Sequence, residues 1–210
     1  MNYRYISRIL GWIFLVFAGL MLLPVIVGLI YREQIGHFMI AIGVSALVGG
    51  ILLLPKQNSG ALYARDGFVI VGLGWIGISL VGALPFRLSG SIPIYTDALF
   101  ETVSGFTTTG ASILNDVEAL SHTSLFWRSF THWIGGMGVL VLTLALLPKL
   151  TGRTAHLVKA ESPGPSVGKL VPKIKSTAGW LYKIYAFLTG LEFILNKVYK
   201  NEYRIHFMDG

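Results

Sequence analysis

The chain has 210 residues, of which 53% are hydrophobic and only 13% charged, with a formal net charge of +7 at neutral pH. A soluble domain carries about 25% charged residues, so this composition excludes an ordinary water-covered globule and predicts that much of the surface faces another solvent. The absence of cysteine excludes disulfides and Cys-based metal sites.

Four uncharged runs, residues 10–30, 38–54, 67–86 and 129–148, are each long enough to be membrane spans. Roughly 20 apolar residues at 1.5 Å per residue cross a hydrocarbon core of about 30 Å. The first run is too long for a signal peptide, lacks a small-residue cleavage site and is followed by further spans. Residues 31–37 make a tight turn, so the first two spans form a helical hairpin, expected over residues 1–60. The polar stretch from Pro55 to Gly60 marks its end. The third span follows and ends near Pro85. Inside it Gly72, Gly74 and Gly77 fit a dinucleotide-binding spacing, and Asp97 stands downstream where such a motif places its acid. The pattern sits within an uncharged span, with no preceding strand or polar helix start, so it is read as helix packing.

Residues 95–106 then carry a helical apolar period too short to cross a membrane, with Asp97 placed at the positive end of the helix dipole. This helix is expected to stop near Gly105, with Thr107, Thr108, Thr109 and Gly110 running extended before the fourth span. Span, short helix, extended segment and span thus follow one another over residues 61–148. Residues 149–175 are basic and punctuated by Pro163, Pro165 and Pro172, which marks a cytoplasmic loop. A weaker run, 176–195, is interrupted by Lys183 and Glu192; the tail 196–210 is polar and unpatterned, and no internal repeat is visible within the chain. The expected fold class is therefore all-α integral membrane.

If the N-terminus is cytoplasmic, the cytoplasmic segments hold Arg4, Arg8, Lys56, Arg65, Lys149, Arg153, Lys159, Lys169, Lys173 and Lys175. The opposite side holds only Arg32, Arg87 and Arg128. This is the positive-inside bias of a multi-pass protein in a cytoplasmic membrane. It accounts for the basicity without a nucleic acid, and no aromatic-interleaved basic groove is present.

Non-helical backbone at membrane depth is tolerated where it lines water or is buried in protein. A strand whose carbonyls face one axis replaces the hydration shell of a potassium ion; Gly110 permits a positive φ there. The alternative reading of Thr107–Gly110 is a threonine-rich turn beside a span. Glu101, one turn beyond Asp97, holds the backbone of this loop, raises the local cation concentration, or is a solvated surface charge. Gly135, Gly136 and Gly138 serve helix packing or close approach to the loop. His132 is an interfacial histidine or a proton sensor. Trp12, Trp75, Trp127, Trp133 and Trp180 serve as interface anchors or packing residues. No nucleophile–base pair or acid cluster supports an enzyme.

The stretch Phe100-Glu-Thr-Val-Ser-Gly-Phe-Thr-Thr-Thr-Gly-Ala-Ser112 resembles the first pore loop of the TrkH/TrkG family of potassium uptake proteins. Trp133-Ile-Gly-Gly-Met-Gly-Val139, Gly82-Ala-Leu-Pro-Phe86 and Ala160-Glu-Ser-Pro-Gly-Pro165 resemble further motifs of that family, in order along the chain. The resemblance implies a two-helix N-terminal segment and then four helix–pore loop–helix repeats around one potassium pathway in the bacterial inner membrane, with the first repeat over residues 61–148 and the first helix of a truncated second over 176–210. It places potassium on the backbone carbonyls of Thr108 and Thr109, with Thr107 and Gly110 completing the strand and Glu101 and Gly105 supporting the loop. It also implies a TrkA-like cytoplasmic nucleotide-binding partner and potassium as the transported substrate, with no covalent cofactor. The likeness fades after Leu191, where a second pore loop is expected but Asn196-Lys-Val-Tyr-Lys200 stands, which predicts a shortened reading frame. A single loop supplies a quarter of a filter. Two functions follow: potassium uptake, with copies of this chain as a homo-oligomer or other chains completing the pore, or a non-conducting subunit that assembles with full-length relatives.

Overall fold

The computed structural model describes residues 3–55, 64–138 and 180–192, all of whose regular structure is helical. Two compact units are present, Met1–Gly135 and Gly136–Gly210. The first contains α1 (Tyr3–Leu20), α2 (Leu22–Tyr31), α3 (Gly36–Leu53), α4 (Ala64–Gly82), α5 (Leu84–Leu88) and α6 (Tyr95–Phe106). The first turns of α7, whose described part covers residues 122–138, complete it. In the second unit, α8 covers residues 180–192.

Three segments of the described residues are long and apolar enough to cross a membrane: Tyr3–Tyr31, Gly36–Leu53 and Arg65–Leu88. They coincide with the first three expected spans. Leu29, Ile40, Leu47, Ile51 and Ile76 are exposed along them, a pattern that suits hydrocarbon and not water. Of the fourth expected span, residues 129–138 are helical; the remainder, the loop 149–175 and the tail from 193 lie outside the described residues. In the second unit, Lys183 Nζ lies 4.9 Å over the Trp180 ring, and a side chain at Gly136 would run into the Tyr185 hydroxyl.

The first span breaks at Met21 because Pro24 cannot donate to the carbonyl four residues earlier. Below the break, α1 buries Ile6, Leu10, Phe14 and Phe17, a helical stripe. It meets the stripe Phe38, Ala41, Ser45 and Gly49 of α3. Gly11 and Gly49 face each other so closely that a Cβ on either would lie 2.9 Å from the other's carbonyl oxygen. Ser45 Oγ donates to the Phe14 carbonyl at 2.8 Å, and Ser7 Oγ to that of Leu52 at 2.6 Å. Such small-residue crossings and hydroxyl bonds hold helices together where lipid supplies no hydrophobic drive. Gly77 of the glycine-rich run packs on the Phe14 ring, where a Cβ would stand 2.5 Å away.

The hairpin and the elements that follow it, α4 to α7, share one core. Trp127 of α7 is fully buried against Phe17 and Phe38. Its Nε1 donates to the Gly82 carbonyl at 3.0 Å, just before the α4–α5 break that Pro85 enforces. The expected interface or packing tryptophan is thus a core residue with a defined acceptor.

At the end of α2, Arg32 adopts a left-handed conformation at φ 56°. Its N–H donates to Leu29 and that of Glu33 to Gly28, the bonds of a Schellman cap. The turn thereby presents the Glu33 carboxylate to the start of α7. It accepts the backbone N–H of His122 and of Thr123, each at 2.9 Å, as well as His122 Nδ1 and Thr123 Oγ1. Tyr31 stacks on the His122 ring at 4.1 Å. The turn between α2 and α3 thus caps α7, and an anion there suits the helix dipole.

Candidate functional site: a re-entrant helix and the loop after it

Contacts between α6 and α7 advance together: Glu101 meets Arg128, Gly105 meets Thr131, and Phe106 meets Gly135. The two helices therefore run the same way. Both start on the side of the 32–35 turn, since Glu33 caps α7 and Ser91 Oγ lies 3.2 Å from Ser124 Oγ. From residue 122 to Gly135 is roughly 20 Å of helix, so α6 carries the chain well into the layer that the spans cross before it turns back. The close approach depends on glycine. A Cβ on Gly105 would stand 2.2 Å from Thr131 Oγ1, and one on Gly135 would stand 2.3 Å from the Phe106 carbonyl oxygen. Gly135 thus unites the two readings left open for it, packing and approach to the loop, whereas Gly136 faces Tyr185.

The helix stops at Phe106, one residue beyond the expected Gly105, and the next residues are not simply extended. Thr107 remains helical at φ −85° and ψ 0°, and Thr108 is left-handed at φ 56°. Thr108 N–H donates to Gly105 and Thr109 N–H to Ser104, both at 3.0 Å, a second Schellman cap. The physical reason lies in the last carbonyls of α6, which need donors and find them in the loop itself. Left-handed geometry is costly for a β-branched residue. The Thr108 hydroxyl offsets part of that by donating to the Thr107 carbonyl at 2.7 Å. Thr107 Oγ1 donates back to Val103 at 2.8 Å and lies 2.8 Å from Thr109 Oγ1.

Beyond the cap, Gly110 has φ 75°, and Ser104 Oγ donates to the Ala111 carbonyl at 2.6 Å. Glu101 then fixes the exit. Its side chain is wholly buried and accepts Ser112 Oγ at 3.0 and 3.1 Å, Ile113 N–H at 3.0 Å and Arg128 Nε at 2.5 Å. Of the readings of Glu101, the solvated surface charge does not hold, because the carboxylate is inside and grips the loop. Ser104, Ser112 and Arg128 were not singled out from the sequence; the helical spacing of Glu101 and Ser104 on one face of α6 was the available signal.

The carbonyls of Thr108, Thr109 and Gly110 accept no hydrogen bond among the described residues, and all three residues are exposed. Three consecutive unclaimed carbonyls follow directly on the negative end of a re-entrant helix, a place that suits a desolvated cation. His132 Nδ1 lies 2.9 Å from the Arg128 carbonyl, a bond within its own helix. No group of three or more His, Asp or Glu able to hold a metal ion is found among the described residues.

A family model described as TrkH, cation transport protein, matches residues 34–207. The Trk system potassium uptake protein TrkH of Salmonella typhimurium is 44% identical over 90% of this chain and 40% of its own length. TrkG of Escherichia coli K12 is 36% identical over 88% of the chain and 39% of its own length. The crystal structure of the potassium transporter TrkH from Vibrio parahaemolyticus aligns with a TM-score of 0.73 and 36% identity, over 90% of this chain and 38% of that one. The chain thus spans about 40% of the length of the relatives it matches. On the extent of these matches, the chain belongs to the TrkH family of cation transport proteins.

Proposed function

We propose that the chain takes part in potassium uptake across the bacterial cytoplasmic membrane, with its N-terminus on the cytoplasmic side, and contributes one potassium-coordinating strand. Thr108 and Thr109 carbonyls bind the ion, Gly110 turns the strand, and Thr107 anchors it to α6. Glu101 and Gly105 support it from behind. The observation that carries this reading is the run of open carbonyls at the buried end of a re-entrant helix. The names of the relatives, Trk system potassium uptake proteins, support the choice of ion. On this reading residues 1–60 are an N-terminal helical segment and 61–148 the first repeat. Residues 149–175 are a cytoplasmic loop whose basic charge suits a TrkA-like partner, and 176–210 open a second repeat.

The test is growth of cells lacking their own potassium uptake systems, on limiting potassium, when they express this chain or its Gly110→Asp variant. An aspartate in the left-handed conformation that Gly110 holds is strained and puts a carboxylate at the strand. Growth restored by the parent alone, at equal membrane levels of both, supports the reading. Equal failure of the two sinks it and favours the non-conducting subunit.

A further inference from the structure

The Glu101–Arg128 ion pair links two elements that have no covalent reason to stay in register. Glu101 sits in the middle of α6 with its side chain fully buried, and Arg128 projects from α7 with its side chain only 17% exposed. The carboxylate does two things at once. Oε1 takes the arginine, and Oε2 takes the Ile113 N–H, with Ser112 Oγ between them. A buried carboxylate that loses its counter-charge is left with an uncompensated desolvation cost. Its hold on Ser112 and Ile113, the two residues that end the strand, then weakens. Upstream, the strand is pinned by the cap at Thr108 and Thr109; between these pins only the Ser104–Ala111 bond intervenes.

We infer that Arg128 is a positioning and specificity-determining residue: by pairing with Glu101 from the neighbouring span, it sets the spacing of the carbonyls of Thr108, Thr109 and Gly110. The inference rests on the potassium reading for its functional consequence, but not for its structural one. Selectivity among alkali cations depends on the number, field and spacing of such dipoles, so loosening one pin changes discrimination before it changes the fold. The rest of α6 remains docked through Gly105 and Phe106.

Two readouts on the full chain decide it, with Arg128→Gln, Arg128→Lys and Glu101→Gln as variants. The first is amide hydrogen exchange in lipid nanodiscs. Loss of a charge-assisted bond raises local exchange by roughly 10- to 100-fold. That rise is expected in residues 107–114 of Arg128→Gln and Glu101→Gln, with α1 and α3 unchanged and Arg128→Lys in between. The second is the ratio of potassium to sodium uptake in the deficient cells. It falls in the two neutral variants and is partly restored in Arg128→Lys. Unchanged exchange in 107–114, or a rise shared equally by α1 and α3, overturns the inference. So does an unchanged ratio in a chain whose parent transports. A parent that takes up no potassium refutes the potassium reading instead, and the exchange result still judges the ion pair.

Discussion

Replacing Glu33 by glutamine removes a charge from the cap of α7 while keeping the shape. Burial by itself raises the Glu33 carboxyl. The hydrogen bonds from the side chains and backbones of Thr123 and His122 outweigh it and hold the group at about 2, against an ordinary 4.5. With about 1.4 kcal/mol per pKa unit, that lowering corresponds to about 3 kcal/mol of preference for the charged form in the folded state. The side chain is 21% exposed at the mouth of the turn, so solvent screens part of this preference. Four donors on one carboxylate, at about 1.5–3 kcal/mol for a charged partner, are more than enough to supply this. The sign follows from the lowered value. The contribution is complete above the unfolded pKa of 4.5 and is lost as pH falls through about 2. Thermal unfolding of the purified chain in nanodiscs is therefore expected to show Glu33→Gln less stable than the parent by about 2–3 kcal/mol at pH 7. The gap should close progressively between pH 5 and 2. Thr123→Val should reproduce part of the loss, and the double variant should lose less than the two singles added. A parent and Glu33→Gln that unfold alike at pH 7, or a gap of the same size at pH 2.5, would refute the cap.

Gly135→Ala puts a methyl against the Phe106 carbonyl oxygen at 2.3 Å; a loss of about 1–3 kcal/mol is expected from such overpacking, read by the same unfolding assay. Trp127→Phe leaves the Gly82 carbonyl without its donor and opens a gap in the core, costing about 2–4 kcal/mol, whereas Trp12→Phe, at a 56% exposed position, should change little. Thr108→Gly releases a left-handed threonine and should raise stability by about 1 kcal/mol; a loss of stability would show that the hydroxyl bond to Thr107 matters more than the backbone strain.

The first three spans were legible because the bilayer fixes their length: uncharged apolar runs long enough to cross it have few other uses. The re-entrant helix was legible for the complementary reason, since the apolar period of Tyr95–Phe106, flanked by polar loops, is too short to cross. Partnerships across sequence were not legible. Glu33 stands in a turn as an ordinary acid, and only the fold brings it to residues 122 and 123. Arg128 reads as one of three basic residues on its side of the membrane, and its partner Glu101 lies far back in chain order. Thr107–Gly110 misled in its conformation because the string contains no glycine at the residue that turns. A Schellman cap ordinarily announces itself by glycine, and here Thr108 takes that place.

The same device occurs twice. Arg32 and Thr108 are the two non-glycine residues with positive φ among the described residues, and each closes a helix by a Schellman cap. Each then delivers the following residues to α7, or to the groups that α7 holds. After Arg32 comes Glu33, bonded to the first turn of α7. After Thr108 comes the strand that ends on Glu101, itself paired with Arg128 further along the same helix. Gly105 and Gly135 complete the series at the deep end. The loop is thus held by α6 through its cap, Ser104 and Glu101, and α6 is in turn held by α7 through Arg128, Thr131 and Gly135. The positions of the open carbonyls are consequently not a property of four threonine and glycine residues alone. They depend on how α6 is seated against α7, as much as on the cap that closes α6.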